Sequence, residues 1–185
     1  MTARLPVYIL IDTSGSMRGE RIEKVMSMIR TFITELCEAE GTRESVWISI
    51  ITYSQKPVER VSLSPVHTVE LEESYEVNGV SNTWSALQFV EEHAFTEIDN
   101  RSSLEEQGDF APILFFFADG MATDVQPMDL DRQKVAWGEK IFLSIGEDYD
   151  SEYTSLCTKH VSLEEYHGSM VDSLLWIQQD LSGSM

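Results

Sequence analysis

Basic side chains are scarce in this 185-residue chain, with 13 Lys and Arg against 32 Asp and Glu and a formal net charge of −19. Such a surface repels nucleic acid and anionic membrane at long range and favours cations and basic protein surfaces. For most of the carboxylates the simpler role is solubility. Cysteine is rare as well. Cys37 and Cys157 sit in apolar surroundings without a partner motif, which argues for reduced, buried thiols and against a disulfide framework or a cysteine metal site. Long apolar runs are missing, since the longest useful one, Pro112 to Ala118, is far too short to cross a bilayer. The N-terminus lacks the charged region, apolar segment and cleavage site of a signal peptide, so the expected location is the cytoplasm. No glycine-rich loop with Gly-Lys-Ser or Gly-Lys-Thr occurs, which argues against a nucleotide hydrolase, and no Gly-x-Ser-x-Gly elbow supports Ser-His-Asp catalysis. His67, His93, His160 and His167 are scattered without helical ligand spacing or a nearby cysteine pair, and they read as surface or packing residues.

What is present is an ordinary globular composition, 42% hydrophobic and 24% charged, with no repeat or linker. The expectation is one domain over residues 1–185 with a substantial core. Its organising stretch is LPVYILIDTSGSM, Leu5 to Met17. An apolar, β-branched and aromatic run stops at Asp12, a small polar turn follows, and a helical pattern begins, which reads as a buried strand, a loop and a helix. The helix is predicted from about Glu20 to Glu38, where Ile22, Val25, Met26, Ile29, Phe32, Ile33 and Leu36 recur at spacings of three and four.

Val46 to Tyr53 reads as a strand covered on both faces, and Val58 to Leu63 as an alternating edge strand. Ser64 to Gly79 reads as an acidic, irregular loop with room for a short strand. Ser81, Asn82, Thr83, Trp84 and Ser85 then lead into a helical pattern at Ala86, Leu87, Phe89, Val90 and Phe95, and one or more of those hydroxyls is expected to cap it. Asn100 to Phe110 is polar, with a short helix expected. Ile113 to Phe117 is the most strongly buried strand and ends at Asp119-Gly120. A short helix is expected in Asp129 to Trp137, a buried strand at Lys140 to Ile145, and another short helix from Glu147 towards Cys157. A brief strand at His160 to Ser162 and an amphipathic helix over Glu164 to Leu181 complete the reading, with Ser182 to Met185 as a frayed tail. Trp47, Phe32 and the methionines are assigned to core packing. Strands alternating with helices predict an α/β fold: a single doubly wound, mostly parallel sheet with helices on both faces, Rossmann-like.

In such a sheet ligands collect where strand ends meet helix starts, so Asp12 and Asp119 meet at one edge if their strands are neighbours. Asp12, Ser14 and Ser16 offer hard oxygens at alternate positions, and a metal-ligand role is also open to the hydroxyl loop that precedes Ala86. That donor set suits Mg²⁺ or Mn²⁺. The competing reading, that Asp12 and the serines merely cap a helix, explains any one of these residues but not an aspartate ending a second strand.

Asp12-Thr13-Ser14-Gly15-Ser16, the hydroxyl loop before Ala86-Leu87, and Asp119-Gly120 resemble the metal-ion-dependent adhesion site (MIDAS) of von Willebrand factor A (vWA) domains, in an order that covers nearly the whole chain. LPVYILIDTSGSMRGERIE, ESVWISIITYS, PILFFFADGMATD and FLSIGEDYD look like the TerY branch of stand-alone bacterial domains linked to tellurium resistance and stress signalling. The resemblance implies one divalent cation, Mg²⁺ or Mn²⁺ with Ca²⁺ as a further candidate. Ser14 and Ser16 would bind it directly, and Asp12 and Asp119 directly or through water. The third loop departs from the family's Gly-x-Thr-x-x-Gly-x-Ala-Leu: Ser81 falls at the threonine and Trp84 at the second glycine, while a shifted register would use Thr83. Trp84 bears on the local backbone and on access to the metal; Asp124 matches an aspartate frequent in the branch and is given no metal role. The implied partner is a protein that offers a carboxylate to the metal, with a protein kinase and a PP2C-type phosphatase as the branch's associates, and the implied activity is binding rather than catalysis.

The enzymatic alternative is a Mg²⁺-dependent phosphohydrolase of haloacid-dehalogenase-like type, whose first strand also ends in an aspartate. Its second aspartate falls here at Ser14, and no lysine stands in the expected downstream setting. A phosphoacceptor receiver domain would need an acidic pair before Asp12, and none is there.

Overall fold

The computed structural model describes residues 3–39, 41–99, 108–127, 134–166, 168–172 and 174. Six strands form one sheet: β1 (Leu5–Asp12), β2 (Val46–Tyr53), β3 (Pro57–Pro65), β4 (Ile113–Ala118), β5 (Glu139–Ser144) and β6 (Lys159–Ser162). Their order is β3-β2-β1-β4-β5-β6, and every pairing is parallel except β2 with β3. The α-helices whose bounds are described are α1 (Glu20–Glu38), α2 (Thr42–Ser45), α3 (Thr83–Glu97) and α4 (Ser151–Leu156).

β1 is buried along its whole length because both faces are covered. Its alternate residues feed two cores. Val7, Ile9 and Ile11 pack with the α1 stripe of Ile22, Val25, Ile29 and Phe32, whereas Tyr8 and Leu10 pack with Ala86, Val90 and Ala94 of α3 and Tyr153 of α4. Phe115 and Phe116 divide in the same way, the first edge-on to Phe32 at 5.4 Å and the second stacked on Phe142 at 5.0 Å. Since chain order runs outward from β1 on one side through β2 and on the other from β4, the two helix layers part at the C-terminal ends of β1 and β4. That is the switch point at which an open α/β sheet leaves a crevice.

The predicted strands and the two long helices are present close to their expected bounds, with differences elsewhere. After β3 the chain makes a 3-10 turn, Val66–Thr68, and runs on without a further strand to α3. Residues 134–137 are not helical, and the rest of the helix expected from Asp129 lies outside the described residues, as does most of the Asn100 to Phe110 segment. Of the expected terminal helix, residues 170–172 are helical, 163–165 form a turn, and the part beyond 174, with the tail, lies outside the description. Trp47 is half-buried rather than central, its ring 4.8 Å beneath the Arg4 guanidinium.

Candidate metal centre

Pairing of β1 with β4, register Ile11 to Phe117, brings Asp12 and Asp119 to one edge as neighbours. The loops between are laced by backbone bonds that no side-chain pattern announces: Gly15 N–H donates to the Gly79 carbonyl at 3.0 Å, Asn78 N–H to the Thr13 carbonyl at 3.0 Å, and Thr123 N–H to the Ser81 carbonyl at 2.8 Å. Three separate loops are thereby held against each other with their oxygens facing one cleft. Ser14, Ser16, Ser81, Asp119, Thr123 and Asp148 line it.

The five expected oxygen donors converge. Ser14 Oγ lies 3.1 Å from Ser16 Oγ, and Ser16 Oγ donates to Asp119 Oδ1 at 2.8 Å. Asp12 is fully buried; its Oδ1 accepts the Ser14 N–H at 2.7 Å, while Oδ2 accepts Ser81 Oγ at 2.7 Å and Tyr53 OH at 3.3 Å. Every one of those donors is neutral. Burial accordingly pushes the Asp12 carboxyl above its ordinary pKa, with the Asp119 charge adding to the rise and the Ser14 and Ser81 hydrogen bonds only partly opposing it. Tyr53, also buried, is pushed well above its ordinary value and stays a proton donor.

Thr83, the other register for the third loop, is fully buried behind Ser81. Its Oγ1 is 3.0 Å from Ser81 Oγ and 3.2 Å from Tyr53 OH. It therefore supports Ser81 and does not line the cleft. Trp84 points the opposite way, into the α3–α4 core, 3% exposed and edge-on to Tyr153 at 5.2 Å. In place of a glycine it leaves the cleft open.

The expected hydroxyl cap of this helix is not what caps it. α3 begins at Thr83 with no side-chain bond from its N-cap Asn82, and its free N–H groups are taken by Asp124 instead: Trp84 N–H at 3.1 Å and Ser85 N–H at 2.7 Å, with Ser85 Oγ at 2.8 Å. A carboxylate about forty residues downstream does the capping, so the hydroxyls of Ser81 and Thr83 are left to face Asp12 and Tyr53. Arg21 adds a contact that no sequence pattern announces. Its Nη1 donates to Asp119 Oδ2 at 2.6 Å and to the Ser16 carbonyl at 3.3 Å, so Asp119 has a cationic partner that Asp12 lacks. A helical Arg two positions into α1 is visible in the sequence; its partner 98 residues away is not.

Among the histidines, His160 stacks on Phe142 at 5.1 Å and His67 Nδ1 lies 3.0 Å from the Arg43 carbonyl, both packing roles, while His167 lies outside the described residues. Cys37 and Cys157 are free and partly buried, and burial lifts the Cys157 thiol to about 12. No described helix is long and apolar enough to cross a membrane.

The model of the von Willebrand factor type A domain family matches residues 7–167. Among solved structures, the chain is similar to the ArnB paralog VWA2 from Sulfolobus acidocaldarius, at 18% identity and a TM-score of 0.63, over 89% of this chain and 43% of that one. A von Willebrand factor type A protein from Catenulispora acidiphila aligns at 15% identity and a TM-score of 0.56, over 81% of this chain and 35% of that one. Proximal thread matrix protein 1 from the mussel byssus, in a form with a zinc-occupied MIDAS motif, aligns at 10% identity and a TM-score of 0.58, over 88% and 43%. At these identities the likeness is one of fold, and the chain spans less than half the length of each of the three. No curated protein gives a significant match. With its family model covering most of the chain and the strand order and sheet edge described above, the protein belongs to the von Willebrand factor type A domain family.

Proposed function

We propose that Asp12, Ser14, Ser16, Ser81 and Asp119 hold one divalent cation, Mg²⁺ or Mn²⁺ before Ca²⁺, and that the cation binds a carboxylate of a protein partner. The observation that carries this reading is the Asp12 carboxylate, fully buried and surrounded by neutral donors. Such a charge is costly to bury unless a cation compensates it. The donor set fits: carboxylate and hydroxyl oxygens suit hard divalent ions, which keep waters that an incoming carboxylate can replace. A fold relative whose MIDAS motif holds zinc supports the location, and a pilus adhesin among the neighbours supports the binding class.

The proposal extends, on the four sequence segments quoted above, to a TerY-like cytoplasmic scaffold of one domain, residues 1–185, that works with a protein kinase and a PP2C-type phosphatase. The phosphohydrolase alternative is not favoured, because Ser14 replaces its second aspartate and no lysine is among the described residues that line the cleft. Calorimetric titration with MnCl₂ is expected to give one site at the cleft in wild type, lost in Asp12→Ala. Pull-down of a purified candidate kinase or phosphatase should then require the metal. Partner binding that survives both EDTA and Asp12→Ala would refute the metal-mediated reading, and turnover of a generic phosphate monoester abolished by Asp12→Asn would restore the enzyme.

A further inference from the structure

A second cluster of metal-ligating side chains lies on the α3 face, away from the cleft. Glu59 of β3 and His93 and Glu97 of α3 bring one ligand atom each to within 4.8 Å of one another. His93 Nε2 is 2.7 Å from Glu59 Oε1 and 3.5 Å from Glu97 Oε1. His93 and Glu97 meet because residues four apart share a helix face. Glu59 joins them through an irregularity of the edge strand. Ile51 pairs with Glu59 but Ile50 pairs with Val61, so β3 carries one residue more than β2 there. In an unbroken strand Glu59 and Val61 would share a face; the bulge sends Val61 to the α1 core and leaves Glu59 opposite Ile51, on the α3 side.

We propose that Glu59, His93 and Glu97 form a second divalent-cation site, of the zinc class, that ties edge strand β3 to helix α3. Two features separate it from a simple ion pair. First, each carboxylate has its outer oxygen anchored by a hydroxyl from outside the cluster, Tyr8 OH to Glu97 Oε2 at 2.9 Å and Ser62 Oγ to Glu59 Oε2 at 2.9 Å, which leaves both Oε1 atoms aimed at the same imidazole nitrogen. Outer partners of this kind orient metal ligands. Second, the charges do not balance with a proton. One ring N–H can donate fully to one carboxylate, and an imidazolium offsets one charge of two; a divalent ion on a neutral imidazole offsets both and meets both Oε1 atoms. Among the described residues, the Arg4 guanidinium does not serve instead, since it pairs with Asp109 and touches Glu97 at its backbone carbonyl. One imidazole and two carboxylates suit Zn²⁺ and leave a position open. With metal–ligand bonds of about 2.0–2.2 Å, tetrahedral donors stand roughly 3.3–3.6 Å apart; His93 Nε2 is 3.5 Å from Glu97 Oε1, and Glu59 Oε1, at 2.7 Å, would move outward slightly to admit the ion. Phe89, stacked on His93 at 5.1 Å, holds the ring in place. Tyr8 lies four residues from Asp12 along β1, or about 13 Å, so the two sites are distinct.

The test is run in the Asp12→Asn background with excess Mg²⁺, so that it does not depend on the cleft. Titration with CoCl₂, followed by the visible absorption of the bound ion and by calorimetry, is expected to give one equivalent that ZnCl₂ displaces. His93→Gln, which keeps the size and polarity of the side chain, should weaken binding by about a hundredfold or more. Tyr8→Phe removes only the outer hydroxyl and should weaken it roughly tenfold. Binding of Co²⁺ that is unchanged by both His93→Gln and Glu59→Gln, or no binding at all, overturns the proposal. Failure of the cleft to bind Mn²⁺ in wild type would leave this result untouched.

Discussion

Replacing Asp12 with Asn is expected to stabilise the metal-free protein while abolishing its response to metal. The side chains are nearly isosteric. Asn Oδ1 keeps the Ser14 N–H bond, and its amide can donate to Ser81 Oγ, whose own proton turns towards Thr83 Oγ1 at 3.0 Å. What disappears is a buried charge with neutral neighbours and a second carboxylate nearby. Relieving a destabilised functional site typically yields about 0.5–2 kcal/mol. At about 2–4 °C per kcal/mol for a domain of this size, the variant should melt roughly 1–8 °C above wild type in EDTA. Saturation at about a hundredfold the dissociation constant adds roughly 2.7 kcal/mol to wild type, or about 5–11 °C, and nothing to the variant. The order of the two melting temperatures therefore reverses on adding Mn²⁺. The pH dependence has a definite sign. Asp12's folded pKa lies above its ordinary value, so the folded state holds the proton more tightly and metal-free stability falls as pH rises through the window between the two values. The advantage of Asn should be complete above that window and vanish below it. Scanning calorimetry across this range decides the matter: an Asn variant less stable than wild type in EDTA at neutral pH would show that the buried carboxylate is not a cost, and the argument for a cation there would lose its basis.

Other perturbations separate the surrounding roles. Arg21 pairs with Asp119 while 46% exposed, a contact worth at most about 1 kcal/mol. Arg21→Gln should therefore tighten Mn²⁺ binding by up to about fivefold in calorimetry at low salt, and an unchanged affinity would deny that Arg21 competes with the metal. Asp124→Ala uncaps α3 and should cost about 1–2 kcal/mol in chemical denaturation without changing Mn²⁺ affinity, whereas a metal role would reverse that pattern. Trp84→Ala, which empties the space against Tyr153, should cost about 3–5 kcal/mol; a loss below about 1 kcal/mol would mean that the ring does not pack inward.

The sheet was legible because its strands are short apolar runs and its first helix has an unbroken three-four stripe, signals that need no knowledge of distant residues. The convergence of Asp12 with Asp119 followed from the same signals plus a topological rule. The contacts that shape the site did not. Asp124 caps a helix 40 residues earlier in the chain, Arg21 finds Asp119 across 98 residues, and Glu59 reaches His93 only because a bulge turns it. Periodicity encodes which face a residue takes and is silent on which remote group meets it there. The spacing of four between His93 and Glu97 is in the sequence, but an i, i+4 pair gains meaning as a ligand set only with its third member.

The same edge in other doubly wound folds holds phosphate, because helix N-termini present free N–H groups and positive dipole ends to it. Here both helices that begin near the cleft carry carboxylates at those ends. α1 carries Glu20 and Glu23 in its first turn, and the first N–H groups of α3 are taken by Asp124. An anion entering the cleft would meet Asp119 and Asp148. Carboxylates at the helix ends and in the cleft thus disfavour a phosphate and suit a cation. With the proposed cation in place, an anionic ligand would enter as a ligand of that cation, which favours recognition of a partner's carboxylate over binding of a free nucleotide.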